Sequence, residues 1–345
     1  MRFLVFSDLH AHNYLEFSER LPGGITTRMS IILSVLKQIY TYAQKNNIKY
    51  VLFTGDLFHK RHHIEIPVFN VIYNFFNSSN VYGVRTIMIP GNHDFSTKAE
   101  DVHSIESFRH IKGIDVLGNE ILELAGFDVV GTAMTNNTDA LEKIVLSAKL
   151  KNPAILLIHA LVTGSCASSG FKFFRGILSV SEINRKYIIT LAGDNHLHQI
   201  KDNFVLVGSP LQHNFGDMGV TKGFLDVDIS EKGIKNIILV KTKCPEFFIK
   251  TLDESLKGKG NDYNYYRIII KQRLNYSEKE RLDKLYKYYE VCYEASQTSS
   301  VNSKELLDKT VLVDKRQLFS SYIKDMSIEL DKDKLLKMGA RYILD

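Results

Sequence analysis

Cysteine is scarce in this chain. Three stand in 345 residues, Cys166, Cys244 and Cys292, far apart, odd in number and with no C-x-x-C pair. That excludes a disulfide framework and a thiolate-bound structural zinc site, and it points to a reducing compartment. Apolar runs are short: none approaches a membrane span, and the run in the N-terminal "MRFLVFSDLH" is too short for a secretory leader. The chain therefore reads as soluble and intracellular. Charge of one sign never accumulates, the net charge being +5 with both signs spread along the sequence, which permits a nucleic-acid partner without arguing for one. No internal repeat, low-complexity tract or Walker-type glycine loop occurs, so an ATP-driven step would need another protein. Histidine is absent after His213, where ten of the 17 tyrosines lie, a shift that marks two functional regions.

What is present is an alternation of buried strands and amphipathic helices. "RFLVF" (2–6), "YVLF" (50–53), "VRTIMI" (84–89), "FDVVG" (127–131), "AILLIH" (154–159) and "YIITLAG" (187–193) are almost continuously apolar, as strands covered on both faces are. Met29, Ile32, Leu33, Leu36, Ile39, Tyr40 and Ala43 recur at helical spacing, as do Val68, Val71, Ile72, Phe75 and Phe76. The pattern predicts an α/β plan of helices packed on a sheet. "NFVLVG", "GFLDVDIS" and "GIKNIILVK" lie too close together for intervening helices and predict an antiparallel section ending near residue 242. Beyond it, "FFIKTLDE" and "YYRIIIKQRL" predict strands, and "SEKE" (277–280) predicts a capping box ahead of Leu282, Leu285, Tyr286 and Tyr289. "QTSSVNS" (297–303) reads as a linker before two short amphipathic segments.

Several strands end in residues of one chemical kind. Asp8 and His10 follow the first; Asp56 and His59 the second; Asn92, His93 and Asp94 the third; His159 ends a fourth, and "DNHLHQ" follows a fifth. Loops at the carboxyl ends of parallel strands share one edge of a sheet, so these groups converge. Carboxylate and amide oxygens mixed with imidazole nitrogens suit manganese, iron or zinc. Two D-x-H units and a lone aspartate supply enough donors for a pair of ions, the arrangement that splits phosphate esters.

"SDLH", "GDLFH", "GNHD", the strand-ending His159, and "GDNHLHQ" followed by "GSPLQHNFGD" resemble the calcineurin-like metallophosphoesterases. Within that group they are most similar to SbcD-type DNA repair and recombination nucleases, phage members included, over residues 1–240; "SGFKFFRG" has a counterpart in the phage proteins. The resemblance implies a layered β-sandwich core with flanking helices, and two divalent metals, manganese or magnesium. It implies that Asp8, His10 and His196 hold one metal, that Asn92, His159 and Asp194 hold the other, and that Asp56 bridges them. It further implies that His93 meets the scissile phosphate, with Asp94 orienting it and His59 near the substrate. The family carries G-H-x-H where "GDNHLHQ" stands. Aligning the flanking Gly193 and Gln199 places Asp194 and His196 as the ligands; a slip of two would make them His196 and His198.

The resemblance also implies a domain order: a nuclease domain over 1–242, a small α+β capping, DNA-binding domain over 246–296, a linker over 297–314, and helices over 315–345. Those helices either fold back or lie against an SbcC-type ATPase partner. DNA ends, hairpins and single strands, a homodimer, and the cytoplasm of a bacterial or phage-infected cell complete the expectation. A phosphatase or phosphodiesterase for protein or small molecules on the same scaffold is the alternative, and a catalytically dead scaffold a third. For His12, His62, His63, His103, His110 and His213 a surface or supporting polar role is the simpler reading, although His62 and His63 adjoin Lys60 and Arg61 and could meet a DNA backbone.

Overall fold

The near-continuous apolar strands are buried on both faces because two sheets lie face to face with helices outside. In the computed structural model, residues 1–78, 81–96, 102–133, 138–160 and 180–294 are described. The chain runs through β1 (Arg2–Phe6), α1 (Thr27–Lys45), β2 (Tyr50–Phe53), α2 (Ile66–Phe76), β3 (Arg85–Met88) and β4 (Ile114–Val116). It continues with β5 (Asn119–Leu124), β6 (Phe127–Thr132), α3 (Thr138–Ser147), β7 (Ala154–His159), α4 (Val180–Asn184) and β8 (Ile189–Gly193). Then come β9 (Gln199–Lys201), β10 (Phe204–Leu206), β11 (Gly223–Ser230) and β12 (Gly233–Lys241).

One sheet has the order β12-β11-β1-β2-β3-β4 and the other β5-β6-β7-β8-β10-β9. Because side chains alternate along a strand, Phe3 and Val5 point into the sandwich against Ile155, Leu157 and Leu191. Leu4 and Phe6 point the other way, under Met29, Leu36 and Ile72 of α1 and α2. On the second sheet Leu156 and Ile158 face Leu141, Val145 and Ile183 of α3 and α4. This is the expected α/β sandwich with flanking helices. Truncating a fully buried residue such as Leu157 to Ala costs about 2–5 kcal/mol.

Helix α1 starts where the Thr26 hydroxyl accepts from the Met29 amide, and α2 starts with a proline in its first turn, where the missing N–H goes unneeded. The strand expected over 203–208 belongs to the other sheet: β10 pairs parallel with β8 and antiparallel with β9, while β11 and β12 form their own antiparallel hairpin beside β1.

Residues 247–293 build a small parallel sheet, β13 (Phe247–Thr251), β14 (Asn261–Ile270) and β15 (Tyr286–Tyr293), with α5 (Leu252–Lys257) and α6 (Tyr276–Leu285) as crossovers. The expected strand "FFIKTLDE" stops at Thr251, which opens α5 in a capping box with Glu254. The box of α6 is Asn275 with Glu278, two residues before the expected "SEKE". Asparagine caps as well as serine, and the earlier pair sits at the backbone turn. This layer is tied to the sandwich through Arg28, which lies 4.2 Å from the Tyr14 ring centroid and 5.3 Å from that of Tyr265. The Phe247 amide donates to Gln212 Oε1 at 2.7 Å. No described helix is long and apolar enough to cross a membrane. Cys166, "SGFKFFRG", the linker and the C-terminal segments over 315–345 lie outside the described residues.

Candidate metal centre

Five strand ends meet at one edge of the sandwich. β1, β2 and β3 are parallel neighbours in one sheet, and β7 and β8 in the other. The loops after them carry Asp8, His10, Asp56, His59, Asn92, His93, Asp194 and His196, while His159 is the last residue of β7. The first two loops are laced together: the amides of Asp8, His10 and Ala11 donate to the carbonyls of Gly55, Asp56 and Leu57. Asp8, His10, Asp56 and Asp194 all have positive φ, between 49° and 78°, a conformation that non-glycine residues adopt at the expense of about 1–3 kcal/mol each and that concentrates at functional sites. Close approach also demands glycine. A Cβ on Gly91 would strike the Asp56 carboxylate and amide, and one on Gly193 would strike the Thr54 carbonyl and His159 Nδ1.

The donor atoms are spaced as ligands are. His10 Nε2 lies 3.2 Å from His196 Nε2 and 3.6 Å from Asp56 Oδ2. His159 Nε2 lies 3.4 Å from Asp56 Oδ1 and 3.8 Å from Asp194 Oδ1, and Asn92 donates from Nδ2 to Asp194 Oδ1 at 3.4 Å, which leaves its Oδ1 as the ligand atom. Two atoms that share an ion at about 2.1 Å stand roughly 3.0–3.5 Å apart at octahedral to tetrahedral angles. Asp56 turns one oxygen to the His10 side and the other to the His159 side, the disposition a bridging carboxylate needs. Donors of Asp8, His10 and His196 lie within 4.8 Å of one another, and so do those of Asp8, Asp56 and His159, and of His10, His59 and His93.

Protonation fits the same use. The Nδ1 of His159 sits 2.7 Å from the Thr54 carbonyl, which can only accept, so Nδ1 carries a proton and Nε2 faces the carboxylates. Burial, with His213 and His196 next to it, holds His10 well below the ordinary imidazole value. His10 is thus neutral, and its approach to Asp56 is that of two lone-pair donors and no ion pair. Burial raises the Asp8 carboxyl, whereas in Asp56 the charge of His159 and the His93 amide outweigh burial and lower it. Burial opposes charge on His159 too, but Asp56, Asp8 and Asp194 raise it well above its ordinary value, so that Nε2 also holds a proton, the one a cation would displace. Asp8 Oδ2, Asn92 Oδ1 and His159 Nε2 are buried with no hydrogen-bond partner. Unpaired buried polar atoms of this kind cost free energy unless a cation meets them, so the residues present fit a pair of divalent ions.

At the outer side, His93 Nδ1 donates to the His59 carbonyl at 2.6 Å, leaving Nε2 toward the cleft, and the two rings stack with centroids 5.5 Å apart. Burial, with His93 beside it, pushes His59 down to about 4. The expected role of Asp94 as the orienter of His93 is not what the geometry provides. Its carboxylate accepts from the amides of Gly91, Asp56, Leu57 and Phe58 and from the Ser104 hydroxyl, so it fixes the loop that carries Asp56. Burial, then Asp56, pushes Asp94 up to about 6 against those donors. His198 is not drawn into the cluster: its Nδ1 donates to the Leu206 carbonyl at 2.9 Å, whereas Asp194 and His196 both face the other candidates.

Two supporting residues, Asp217 and Lys222, went unseen in the sequence, and a third, His213, takes the supporting role expected of it. Asp217 Oδ2 lies 3.7 Å from His196 Nδ1, its Oδ1 takes a 2.7 Å hydrogen bond from buried Lys222, and its charge is held below the ordinary range against burial by His196 and Lys222. A carboxylate behind an imidazole fixes its tautomer and turns the other nitrogen to the metal. His213, read as a supporting polar residue, donates from Nε2 to the Asp8 carbonyl at 2.9 Å and packs on the rings of His10 and His196. "LQHNFGDMGVTK" has no periodicity or spacing rule that announces these contacts; only its position after the fifth strand end could have drawn attention to it.

Residues 1–196 match the family model described as calcineurin-like phosphoesterase. No curated protein matches the chain. Among solved structures, the chain is similar to a dimetal phosphatase from Danio rerio, with 9% identity over 70% of this chain and 98% of that one and a TM-score of 0.43. A second solved structure shows 13% identity over 69% of this chain and 98% of its own, with a TM-score of 0.44.

Proposed function

The chain belongs to the calcineurin-like phosphoesterases, and on that premise we propose that it is a two-metal phosphodiesterase that cuts DNA, the nuclease subunit of an SbcCD-type complex. Asp8, His10 and His196 would hold one cation and Asn92, His159 and Asp194 the second, with Asp56 between them. Such a pair, when bound, supplies an activated water and neutralises charge on the phosphoryl oxygens. His93, its Nδ1 proton fixed on the His59 carbonyl, presents Nε2 to the leaving oxygen and, when doubly protonated, can donate to it. Asp94 keeps the Asp56 loop in place, and Asp217 sets the tautomer of His196.

The observation that carries the DNA reading is the surface continuous with His59. The ring that stacks on His93 leads directly into Lys60, Arg61, His62 and His63, with Lys60, His62 and His63 exposed, a track suited to the phosphates that flank a scissile bond. An SbcC-type ATPase would engage the segments after residue 294, and a second copy of the chain would complete the complex.

The test is cleavage of end-labelled duplex and hairpin DNA with manganese or magnesium, by the wild type and by His93→Ala. The wild type cuts, and the variant loses cutting while still binding manganese and DNA. If the wild type leaves DNA intact and instead hydrolyses phosphomonoesters or phosphoproteins, the phosphatase alternative replaces this reading.

A further inference from the structure

A cleft of about 540 Å³ opens beside His59, with His12, Tyr14, Leu15, Glu16, Arg20, Lys60 and Glu65 on its walls. Its back wall is a ladder of rings that starts at the candidate metal centre. His59 stacks on His93, its centroid lies 5.4 Å from that of His12 and 5.2 Å from that of Tyr14, and His12 meets Tyr14 edge-on at 5.1 Å. The ladder is held rigidly. Arg28 covers the Tyr14 ring at 4.2 Å, and the Tyr14 hydroxyl donates to the His10 carbonyl at 3.3 Å. Asn13, 4% exposed, anchors the loop with bonds to the Gly24 carbonyl, Glu65 Oε2 and the Thr26 amide. The rim is different in kind: Leu15 is 67% exposed, Arg20 and Lys60 are exposed cations, Glu16 is an exposed carboxylate, and Glu65 accepts from Asn13 at 2.8 Å. Apolar and aromatic walls next to cations suit a flat heterocycle joined to a phosphate. The volume exceeds that of one nucleoside, and nothing in the mechanism above uses His12.

We propose that this cleft is a nucleoside subsite, in which the base next to the scissile phosphate stacks against His12 while Arg20 and Lys60 face the adjoining phosphate. The inference rests on the nuclease reading of the same site. Stacking of a base on a ring is worth about 1–3 kcal/mol, so the subsite favours a nucleotide ester over a methyl phosphodiester, which has no second ring to stack, by roughly 5–150-fold. His12 acts here by contact with the substrate's base.

The experiment compares kcat/KM of the manganese-loaded protein for thymidine 5′-(p-nitrophenyl phosphate) and for methyl p-nitrophenyl phosphate, in the wild type, His12→Ala and His12→Phe. The ratio favours the nucleoside ester in the wild type, falls about tenfold in His12→Ala, and returns in His12→Phe, which keeps the ring and drops both nitrogens. A wild-type ratio near one, or a ratio unchanged in His12→Ala, overturns the subsite, as does loss of the ratio in His12→Phe. A misfolded His12→Ala would lose both activities together, and the wild-type and His12→Phe ratios still decide the matter. DNA cleavage by the wild type is scored separately. Cutting without a His12 effect removes the subsite alone, whereas hydrolysis of both synthetic esters with no cutting removes the nuclease reading.

Discussion

Replacing Asp94 by Asn separates two roles that a carboxylate next to a working histidine can have. Oδ2 of Asp94 accepts from the amides of Gly91 and Asp56, both at 2.9 Å, and Oδ1 accepts from those of Leu57 at 3.1 Å and Phe58 at 3.2 Å. The side chain is 1% exposed. Whichever way an Asn amide is turned, its NH2 group confronts two of these N–H donors, and both lose a partner away from water. An unsatisfied buried donor costs about 1–3 kcal/mol, so Asp94→Asn is expected to lose roughly 2–6 kcal/mol. At roughly 2–4 °C per kcal/mol for a large domain, the melting temperature falls by at least about 4 °C. Because the released loop carries Asp56, manganese affinity falls in the same variant. Thermal melts and calorimetric manganese titrations of wild type and variant read both effects. If Asp94→Asn lowers kcat while melting temperature and manganese affinity stay at wild-type values, Asp94 acts on His93 after all and the loop-fixing account is refuted.

Other expectations concern packing and pH. Gly91→Ala drives a Cβ into the Asp56 carboxylate and amide, whereas Gly118→Ala meets nothing within 4 Å. The first is expected to lose about 1–3 kcal/mol and to weaken manganese binding by calorimetry, and the second to match the wild type; equal behaviour contradicts the close approach. The folded-state value of Asp217 is depressed by His196 and Lys222. Its stabilisation is therefore complete above its unfolded value of about 3.9 and is lost as pH falls through the lower folded value. In thermal melts the gap between wild type and Asp217→Asn should begin to narrow as pH falls below about 4 and vanish only below the depressed folded value. A gap that does not narrow as pH falls removes the charge interaction.

Much of the scaffold was legible because the strands announce themselves. Leu4 and Phe6 are as deeply buried as Phe3 and Val5, so "RFLVF" shows no alternation, and the same holds for "AILLIH". The donors at their ends could be read from the chain because a strand delivers its last residue to a sheet edge whatever the rest of the fold does. The partner of β10 was not legible. Three buried residues, Phe204, Val205 and Leu206, suit either sheet, and their pairing with β8 is decided by tertiary packing. The role of Asp94 was hidden for a related reason. Its neighbour His93 suggests a side-chain pair, while three of its actual partners are backbone amides 36–38 residues away that no sequence motif records. Asp217 and Lys222 form one buried pair five residues apart, a spacing without meaning outside a helix until His196 is placed against it.

The central claim is that the strand-end donors hold a pair of cations joined by Asp56. Calorimetric titration of the metal-free protein with manganese tests it most directly, run on wild type and on Asp56→Asn. Two ions per chain in the wild type and fewer than two in the variant are the predicted result. One ion or none in the wild type, or two bound as tightly by Asp56→Asn, contradicts it.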